Sequence, residues 1–271
     1  MIANMVQDNL SKALRIFPVT RFDGIRFETS EVPLAREVAL RIIYNRDQVM
    51  TVACVGNHLD ELAVGFLRSE GFLRSFLDIE SLTVREDEAS VEVLTVDHRR
   101  VKTGMGRDCG TLFSSGARGI GSEDKGEEKY LGSLSMRLDP KKILHWMEEL
   151  VGRSVLHNAS HGTHCSALVD RKGILICRED IGRHNTIDMI GGYALLHDMD
   201  CSDKILMTTG RISSEMVNKI RHLGIPILVS RSAPTTEAIR ILEEVGITLV
   251  AYVRGGKMNI YTHKDRIILG L

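Results

Sequence analysis

Residues 205–257 read ILMTTGRISSEMVNKIRHLGIPILVSRSAPTTEAIRILEEVGITLVAYVRGGK, and this stretch decides the fold class. Its short apolar runs are typical of buried strands and lie at 205–208, 225–229 and 247–253. Between these runs, apolar residues recur at helical spacing over 214–223 and 235–245. Strands that alternate with helices indicate a largely parallel sheet that is covered on both faces. The sequence therefore predicts an α/β fold for this part of the chain.

The same alternation begins near residue 139, after a stretch that has the composition of a linker. Asp139 and Pro140 predict a helix start, because an acid can cap the helix and proline suits its first turn. Further elements are predicted in order, with the first helix ending near 151, strands at 165–169 and 174–178, and a helix at 185–197. Glycines and charged residues crowd 116–132, which is the predicted domain boundary.

The first part of the chain predicts strands mixed with one helix. The predicted strands are 24–28, 37–44, 49–55, 82–84 and 91–96, and the predicted helix is 58–69. We therefore expect a smaller α+β N-terminal domain, residues 1–132, which ends in a glycine-rich loop and the linker. The C-terminal α/β domain is expected to cover residues 133–271.

Composition and charge exclude several classes of protein. The 271 residues carry a formal net charge of −1, so nothing indicates a broad electrostatic grip on nucleic acid or anionic lipid. Asp8 interrupts the region where a signal peptide needs an apolar run, and no stretch reaches the length of a membrane span. The five cysteines are dispersed without a C-x-x-C pair, which argues against a disulfide framework or a cysteine zinc site. We expect a reduced, cytoplasmic protein with no nucleic-acid or membrane partner.

Two loops of the α/β part have similar side chains that could bind an anion. The loops at 208–215 and 230–237 each follow a predicted strand and lead into a predicted helix. They offer Arg211 and Ser213 in the first loop, and Ser232 beside an arginine in the second. A helix N-terminus with free N–H groups suits phosphate, and ligands of open α/β sheets bind at the carboxyl ends of strands. The alternative is ordinary helix capping by serine and threonine, although the arginines favour an anionic ligand.

A third candidate loop, Arg254-Gly-Gly-Lys257, follows the last long strand. Paired glycines let a backbone approach a ligand closely, and Arg254 and Lys257 add positive charge. The alternative is a tight turn into a short strand at 258–261. Taken together, the three loops support the hypothesis of a ligand with a polyphosphate group, such as a nucleotide.

Histidine, acidic and arginine residues concentrate at 157–164 and 178–185. A zinc deaminase would need H-x-E followed later by P-C-x-x-C, and neither pattern occurs. His161 and His164 lie three residues apart in a glycine-containing stretch where no helix is predicted to fix their geometry. We therefore expect polar contacts to a loop or a ligand here, and no metal site.

Cys109 differs from the other cysteines because it lies in a glycine-rich loop. Cys54 and Cys177 fall within apolar strand patterns and are expected to be buried. Arg107 and Lys102 place positive charge near Cys109, which favours the reactive thiolate form of a cysteine. The alternative is an inert surface cysteine, and the composition of the loop does not decide between the two.

Long motifs in chain order resemble one family. They are 59–71 in the first part, then 161–168, 178–188, 210–216, 232–236 and 254–263. These segments closely resemble the formate dehydrogenase accessory sulfurtransferase family. The resemblance covers nearly the whole chain, so coincidence is excluded.

The resemblance implies a fold like that of cytidine deaminases, without the zinc ligands. It implies that Cys109 takes sulfur from a cysteine desulfurase as a persulfide. The acceptor would be the bis-molybdopterin guanine dinucleotide form of the molybdenum (or tungsten) cofactor, before its insertion into formate dehydrogenase. Residues expected to contact that cofactor are Tyr252, Val253, Arg254, Gly255, Gly256 and Lys257, together with Arg211, Ser213 and Ser232 of the anion-suited loops.

One departure from the family concerns the sulfur-carrying loop. Many members read C-G-x-C-G, whereas this chain has Leu112 where the second cysteine would fall. A single cysteine can still hold a persulfide, because carrying sulfur needs only one nucleophile. Any step that needs a neighbouring thiol is thereby put in question.

Three functions follow as hypotheses. The first is a sulfur carrier with a persulfide on Cys109, which would be a sulfurtransferase-type accessory protein; the sequence leaves open whether it is an enzyme. The second is a chaperone that binds the cofactor and transfers no sulfur. The third, a metal-dependent deaminase or hydrolase, predicts bound zinc. A homodimer would suit a two-headed cofactor, by analogy alone.

Overall fold

The computed structural model describes residue 10 and residues 12–98 and 136–269. The strands are β1 (Leu14–Phe22), β2 (Phe27–Ala35), β3 (Val38–Tyr44), β4 (Asp47–Cys54), β5 (Ile79–Arg85), β6 (Ser90–Thr95), β7 (His164–Val169), β8 (Ile174–Asp180), β9 (Ile205–Thr208), β10 (Ile227–Ser230), β11 (Thr248–Arg254) and β12 (Lys257–Thr262). The α-helices are α1 (Leu59–Ser69), α2 (Pro140–Arg153), α3 (Val155–Ser160), α4 (Arg183–Leu196), α5 (Ser214–Arg221) and α6 (Thr236–Val245). Short 3₁₀ helices lie at Phe76–Asp78 and Lys264–Arg266.

The C-terminal part forms a six-stranded sheet in the order β12-β11-β10-β9-β7-β8. Strands β9, β10 and β11 are parallel, as predicted, but the other pairings are antiparallel. The prediction of a largely parallel sheet was therefore wrong, because tight turns reverse the chain at two places. Gly255 and Gly256, with φ of 58° and 70°, join β11 to β12 in a two-residue hairpin that needs positive φ at both positions. The Asp170 carboxylate accepts hydrogen bonds from the backbone in the turn between β7 and β8.

Helices cover both faces of this sheet, as the sequence predicted. Because side chains alternate along a strand, Leu206 faces one side and Ile205 and Met207 face the other. The Leu206 side packs with α4, α5 and α6 in one apolar cluster. The Ile205 side packs with α2, where Trp146 is buried. Asp139 caps α2 through a hydrogen bond from the Lys141 N–H, 2.8 Å long.

The N-terminal part forms a four-stranded sheet in the order β4-β3-β6-β5, with α1 packed on it. Its apolar core also contains Met189 and Leu195 of α4. Glycines allow α1 and α4 to approach closely. A Cβ atom at Gly65 would lie 1.7 Å from the Asp188 carbonyl oxygen, and one at Gly192 would lie 1.8 Å from the Glu61 carbonyl oxygen. The two sheets are therefore joined by a direct helix–helix contact.

Buried polar contacts reinforce this junction. The Arg178 guanidinium of β8 donates two hydrogen bonds to the Glu61 carboxylate of α1, a bidentate pair with little solvent exposure. The Lys219 ammonium of α5 donates to the Asp188 carboxylate at 2.8 Å, and the Ser69 hydroxyl of α1 donates to it at 2.6 Å. These contacts connect three helices and the six-stranded sheet.

Strands β1 and β2 form a separate antiparallel ribbon. The Asp23 carboxylate accepts hydrogen bonds from the N–H groups of Ile25 and Arg26, so the turn occupies the position where a strand at 24–28 was predicted. That prediction was wrong, because the strand begins only at Phe27.

Helix α3 was also absent from the sequence prediction, which treated 157–164 as a loop. Its first N–H groups are satisfied by a residue far along the chain. The Glu179 carboxylate accepts hydrogen bonds from the N–H groups of Leu156 and His157, at 3.1 and 2.9 Å. A cap supplied by a distant strand leaves no signal in the local sequence. No helix in the described ranges is long and apolar enough to cross a membrane.

Candidate functional site

The segments that the sequence singled out meet at one edge of the six-stranded sheet. The carboxyl ends of β9, β10 and β11 lie at this edge because the three strands are parallel. The antiparallel pairings of β7 add its amino end, His164, and the carboxyl end of β8, Asp180, at the same edge. The loops at 208–213 and 230–235 therefore lie at the same edge, and the turn at 254–257 follows the end of β11 on that side.

Backbone hydrogen bonds join the first two loops to each other and the second loop to strand β11. The Ile212 N–H donates to the Ala233 carbonyl oxygen at 3.2 Å, and the Thr235 N–H donates to the Ile212 carbonyl oxygen at 2.9 Å. The Tyr252 N–H donates to the Ser232 carbonyl oxygen at 3.2 Å. The predicted site residues of these segments therefore lie close together in the fold. They are Arg211, Ser213, Ser232 and Tyr252.

Buried hydroxyls support the floor of the first loop. The Ser230 hydroxyl donates to the Gly210 carbonyl oxygen at 2.8 Å, and the Gly210 N–H donates to Thr208 Oγ1 at 3.1 Å. A Cβ atom at Gly210 would lie 2.9 Å from the Arg183 Cβ atom, so glycine lets this loop contact the start of α4. The loop is fixed from below by hydrogen bonds and from the side by close packing.

Helix capping, the alternative reading of these loops, holds for one loop and fails for the other. The Thr235 hydroxyl accepts a hydrogen bond from the Ala238 N–H at 3.3 Å and caps α6. Ser213 occupies the same position before α5, but within the described residues its side chain caps nothing. The N-cap of α4, Gly182, has no side chain to offer. The N-termini of α4 and α5 therefore keep backbone N–H groups that could donate hydrogen bonds to an anion.

Four buried polar atoms near this edge have no hydrogen-bond partner in the part of the chain that the structure describes. They are Thr163 Oγ1, Arg183 Nε, His184 Nε2 and Ser213 Oγ. The Glu215 carboxylate lies 3.7 Å from His184 Nε2. A buried polar group without a partner costs about 1–3 kcal/mol, so a cluster of such atoms is typical of a ligand site.

Positive side chains surround the two buried histidines at this edge. Burial lowers the pKa of His164, and the positive charges of Arg183, His157 and Arg211 lower it further. Burial likewise lowers the pKa of His184 to about 4, followed by the effects of Arg183, Lys219 and His164. Positive neighbours disfavour a charged imidazole, and the same neighbours attract an anion.

Strand β11 contains an aromatic residue, Tyr252, with a strained backbone conformation. Tyr252 has a φ of 60°, at an irregularity in the pairing between Ala251 and Arg254. Such bulges redirect side chains and are frequent beside functional sites. The Tyr252 ring is exposed and lies 4.3 Å from the Arg254 guanidinium, measured from the ring centroid. Arg254 and Lys257 are exposed on either side of the two-glycine turn.

Val253 stands apart from the other predicted contact residues. Its side chain is buried in the core on the α2 side of the sheet. Only its backbone can face a ligand. The contact of this loop with a cofactor stays a prediction, and for Val253 that prediction does not separate side-chain contact from backbone contact.

The sequence prediction omitted Thr163, Arg183 and His184 from the candidate site. Arg183 and His184 follow Gly182 at the start of a helix, within the family motif at 178–188, and that position was the available signal. Thr163 lies inside the family motif at 161–168, but its burial depends on β7 joining the edge, which the local sequence does not show. The metal site considered at His161 and His164 has no counterpart in the described ranges, where no three His, Cys, Asp or Glu residues group as ligands.

Cys109, predicted to carry sulfur, lies outside the described residues, as do Lys102, Arg107 and Leu112. Of the cysteines that are described, Cys54 is fully buried, as predicted. The same prediction for Cys177 was wrong, because this residue lies on β8, the outermost described strand of its sheet, and is only half-buried. Burial raises the pKa of its thiol to about 12, and the Asp180 carboxylate adds to this effect. Cys54 is therefore a structural residue.

Fold and site together define an α/β protein with an electropositive, ligand-suited edge built from three loops and two helix N-termini. Residues 35–268 match the model of the FdhD/NarQ family, so this chain belongs to that family. A relative from Geobacillus kaustophilus, named sulfur carrier protein FdhD, is 35% identical over 93% of this chain and 97% of its own length. A Bacillus pumilus protein of the same name is 37% identical over 94% of this chain and 97% of its own length.

The fold also has a counterpart among solved structures. A crystal structure of a protein from Desulfotalea psychrophila, assigned as a formate dehydrogenase accessory protein, matches with a TM-score of 0.77. The match covers 94% of this chain and all of the other, at 22% identity. At that identity the likeness concerns the fold alone, and it agrees with a mixed α/β chain that contains several sheets.

Proposed function

We propose that this protein is a sulfur carrier in the maturation of formate dehydrogenase. Cys109 accepts sulfur as a persulfide from a cysteine desulfurase. It passes the sulfur to the bis-molybdopterin guanine dinucleotide form of the molybdenum (or tungsten) cofactor. The observation that carries the binding half of this proposal is the group of unpartnered buried polar atoms at the electropositive edge, among the family's own motifs.

A guanine dinucleotide cofactor fits the chemistry of this edge. Its pyrophosphates are acceptors for the free N–H groups of α4 and α5 and for the Arg183 guanidinium. Ser213 and Ser232 supply short hydroxyl donors, while Arg211 and Lys257 supply charge at the rim. The exposed Tyr252 ring, next to Arg254, offers a face for stacking on a base. The cofactor is a substrate of the carrier, and no resident metal is needed.

The sulfur step balances without an external oxidant. The Cys109 thiolate attacks the outer sulfur of the desulfurase persulfide, a new S–S bond forms, and the desulfurase leaves as a thiolate. The transferred sulfur keeps its oxidation state. A reduced thiol is required before each cycle, which suits the cytoplasm.

The sulfur step is tested by incubating the protein with a cysteine desulfurase and cysteine, followed by peptide mass mapping. We expect the peptide that contains Cys109 to gain the mass of one sulfur atom. The Cys109→Ala variant should lose that gain, whereas the Cys201→Ala variant should keep it, because Cys201 is buried. If the Cys109→Ala variant takes up as much sulfur in total as the parent protein, with the sulfur on other peptides, the assignment of Cys109 is refuted.

The binding step is tested with GDP as the probe, by isothermal titration calorimetry. Arg254→Ala and Lys257→Ala should each weaken binding about tenfold to 150-fold, the loss of about 1.5–3 kcal/mol expected for a hydrogen bond to a charged group. Arg171→Ala is the matched control, because Arg171 is an exposed arginine in the turn at the opposite edge of the sheet. Equal affinities for all three variants would refute binding at this edge.

The alternative function is a cofactor-binding chaperone without sulfur transfer. Leu112, in the position of the family's second cysteine, is the observation that favours it. A Cys109→Ala variant that restores formate dehydrogenase activity in cells as well as the parent would support the chaperone and exclude the carrier.

Two further expectations belong to the same proposal. The six-stranded sheet is proposed to follow the arrangement of cytidine deaminases without their zinc ligands, and the carrier is proposed to act as a homodimer on a two-headed cofactor. Elemental analysis of the purified protein checks the absence of zinc, and sedimentation checks the homodimer.

A further inference from the structure

A row of three buried hydroxyls crosses the six-stranded sheet directly beneath the candidate site. In the strand registers, Thr208 of β9 is opposite Ser166 of β7 on one side and Ser230 of β10 on the other. All three side chains are fully buried. Two residues further from the edge, the same face of these strands carries leucines, namely Leu168, Leu206 and Leu228. The core therefore changes from apolar side chains to hydroxyls at the last row before the site.

The hydroxyl of Ser166 is the central link of a hydrogen-bonded chain. Its oxygen lies 2.9 Å from Thr208 Oγ1 and 2.7 Å from Thr186 Oγ1 of helix α4. At one end of the chain, the Thr186 hydroxyl donates to the Arg183 carbonyl oxygen at 2.8 Å. At the other end, Thr208 Oγ1 accepts from the Gly210 N–H at 3.1 Å. Ser166 therefore connects the start of α4 to the loop at 208–213.

Both ends of this chain lie on segments that carry unpartnered buried atoms. Arg183 Nε belongs to the start of α4 and Ser213 Oγ to the loop before α5, and neither has a partner within the described residues. The Ser230 hydroxyl adds to the support, because it donates to the Gly210 carbonyl oxygen at 2.8 Å and accepts from the Ser232 N–H at 2.9 Å. The backbone of each segment is thus held from below, while its upper side keeps free donors.

Stability alone does not require hydroxyls at these positions. When both partners of a buried hydrogen bond are replaced by apolar groups of the same shape, the effect on stability can be nearly neutral. The leucines of the next row show that apolar side chains suit this face of the sheet. A satisfied network of buried hydroxyls instead favours one arrangement of the backbones that it joins. Binding sites depend on such support, because their donors must be held in place before the ligand arrives.

We propose that Ser166 is a positioning residue for a diphosphate ligand at this edge. It holds the start of α4 and the loop at 208–213 in one fixed arrangement, so that donors from both bind adjacent phosphate groups of one ligand. A ligand with a single phosphate engages only one of the two segments and gains less from the link. The identity of the ligand as a nucleotide diphosphate rests on the proposed function.

The test compares GDP with GMP in calorimetric titrations of the parent and of Ser166→Ala. The parent should prefer GDP. Ser166→Ala should bind GDP about fivefold more weakly and should bind GMP nearly as the parent does. The variant is expected to fold, because Thr186 keeps the Arg183 carbonyl oxygen and Thr208 keeps the Gly210 N–H, and thermal unfolding checks this. An equal loss for both ligands, or no loss for GDP, overturns the inference and leaves the proposed function standing. A parent that binds no GDP overturns both.

A matched pair at Thr208 separates positioning from packing. Thr208→Val removes the hydroxyl and keeps the branched shape, whereas Thr208→Ser keeps the hydroxyl and removes a methyl group. Positioning predicts that the valine variant loses the preference for GDP and that the serine variant keeps it. Thr95→Val is the control, because it removes a buried hydroxyl from the four-stranded sheet and should leave the preference unchanged. If the serine variant loses the preference and the valine variant retains it, packing explains the row and the proposal fails.

Discussion

At the scale of single residues, two hydroxyls in equivalent positions do opposite things. Thr235 caps α6 through the Ala238 N–H, whereas the Ser213 hydroxyl before α5 is buried without a partner in the described ranges. Removing a working cap costs about 1 kcal/mol, but removing an unsatisfied buried hydroxyl is neutral or stabilising. The two positions therefore separate a structural hydroxyl from one kept for a ligand.

We predict that Ser213→Ala leaves the free energy of unfolding unchanged or raises it, while it weakens GDP binding about fivefold or more. Thr235→Ala should lower the free energy of unfolding by about 1 kcal/mol and affect GDP binding less. Urea denaturation and calorimetric titration measure the two quantities. The ligand role of Ser213 fails if its alanine variant loses stability and retains affinity.

His184 gives a prediction for pH. Its pKa in the folded protein is about 4, below the ordinary value of 6.5, because of burial and the positive charges around it. The unfolded chain therefore binds more protons between pH 4 and pH 6.5. The contribution of His184 to stability is fully present above pH 6.5 and is lost as the pH falls through 4. The whole effect is about 3 kcal/mol, from about 1.4 kcal/mol for each pH unit.

The measurement compares the parent with His184→Asn in urea at a series of pH values. The parent should lose stability relative to the variant as the pH falls from 6.5 to 4. His145→Asn controls for the removal of an exposed imidazole. A parent–variant difference that is constant over this range would contradict the environment described for His184.

At the scale of elements, the contact between α1 and α4 depends on glycine. Alanine at Gly65 would place a Cβ atom 1.7 Å from the Asp188 carbonyl oxygen, and backbone cannot move aside cheaply. We predict that Gly65→Ala lowers the free energy of unfolding by about 3 kcal/mol or more. Gly152→Ala is the matched control. It lies in helix α2 with open space around it, so alanine should stabilise by about 0.5–1 kcal/mol. Equal effects of the two substitutions would refute the packing argument.

Elements with strong periodic patterns could be predicted from the sequence. The strand Ile205–Thr208 was predicted at its observed bounds, and α1, α4 and α6 within two residues. The failures had two causes, a partner from another element in one case and local turns in the others. Helix α3 needs the carboxylate of Glu179, and the direction of β7 and β8 depends on a hairpin rather than on a crossover. The spacing of apolar residues shows which face of a helix or strand is buried, but not which element packs against that face.

The candidate site divides in the same way. Loops with a local signature, such as the one from Arg254 to Lys257, could be predicted from residue type and from the family motif. Arg183 and His184 join the site only because the start of α4 packs against Gly210. That contact spans a long stretch of chain and has no local pattern. Which hydroxyl is a cap and which is left unpartnered also depends on the folded geometry alone.

At the scale of the whole molecule, the two sheets share their interior. The predicted division into domains 1–132 and 133–271 stays a prediction, yet the core under α1 includes Met189 and Leu195 of α4. The Glu61–Arg178 pair crosses the same junction, and removing one partner of a buried pair costs about 3–5 kcal/mol. Two parts tied in this way are expected to unfold together.

Trp146, the single tryptophan of the chain, allows this cooperativity to be measured. It is buried on the α2 side of the six-stranded sheet, on the opposite face from α4. We predict that urea unfolding gives one transition, with the same midpoint by tryptophan fluorescence and by far-ultraviolet circular dichroism. Gly65→Ala, although it alters α1, should shift the fluorescence midpoint as far as the dichroism midpoint. If the substitution moves only part of the dichroism change and leaves the fluorescence of Trp146 where it was, the sheets unfold separately, and the shared core does not couple them.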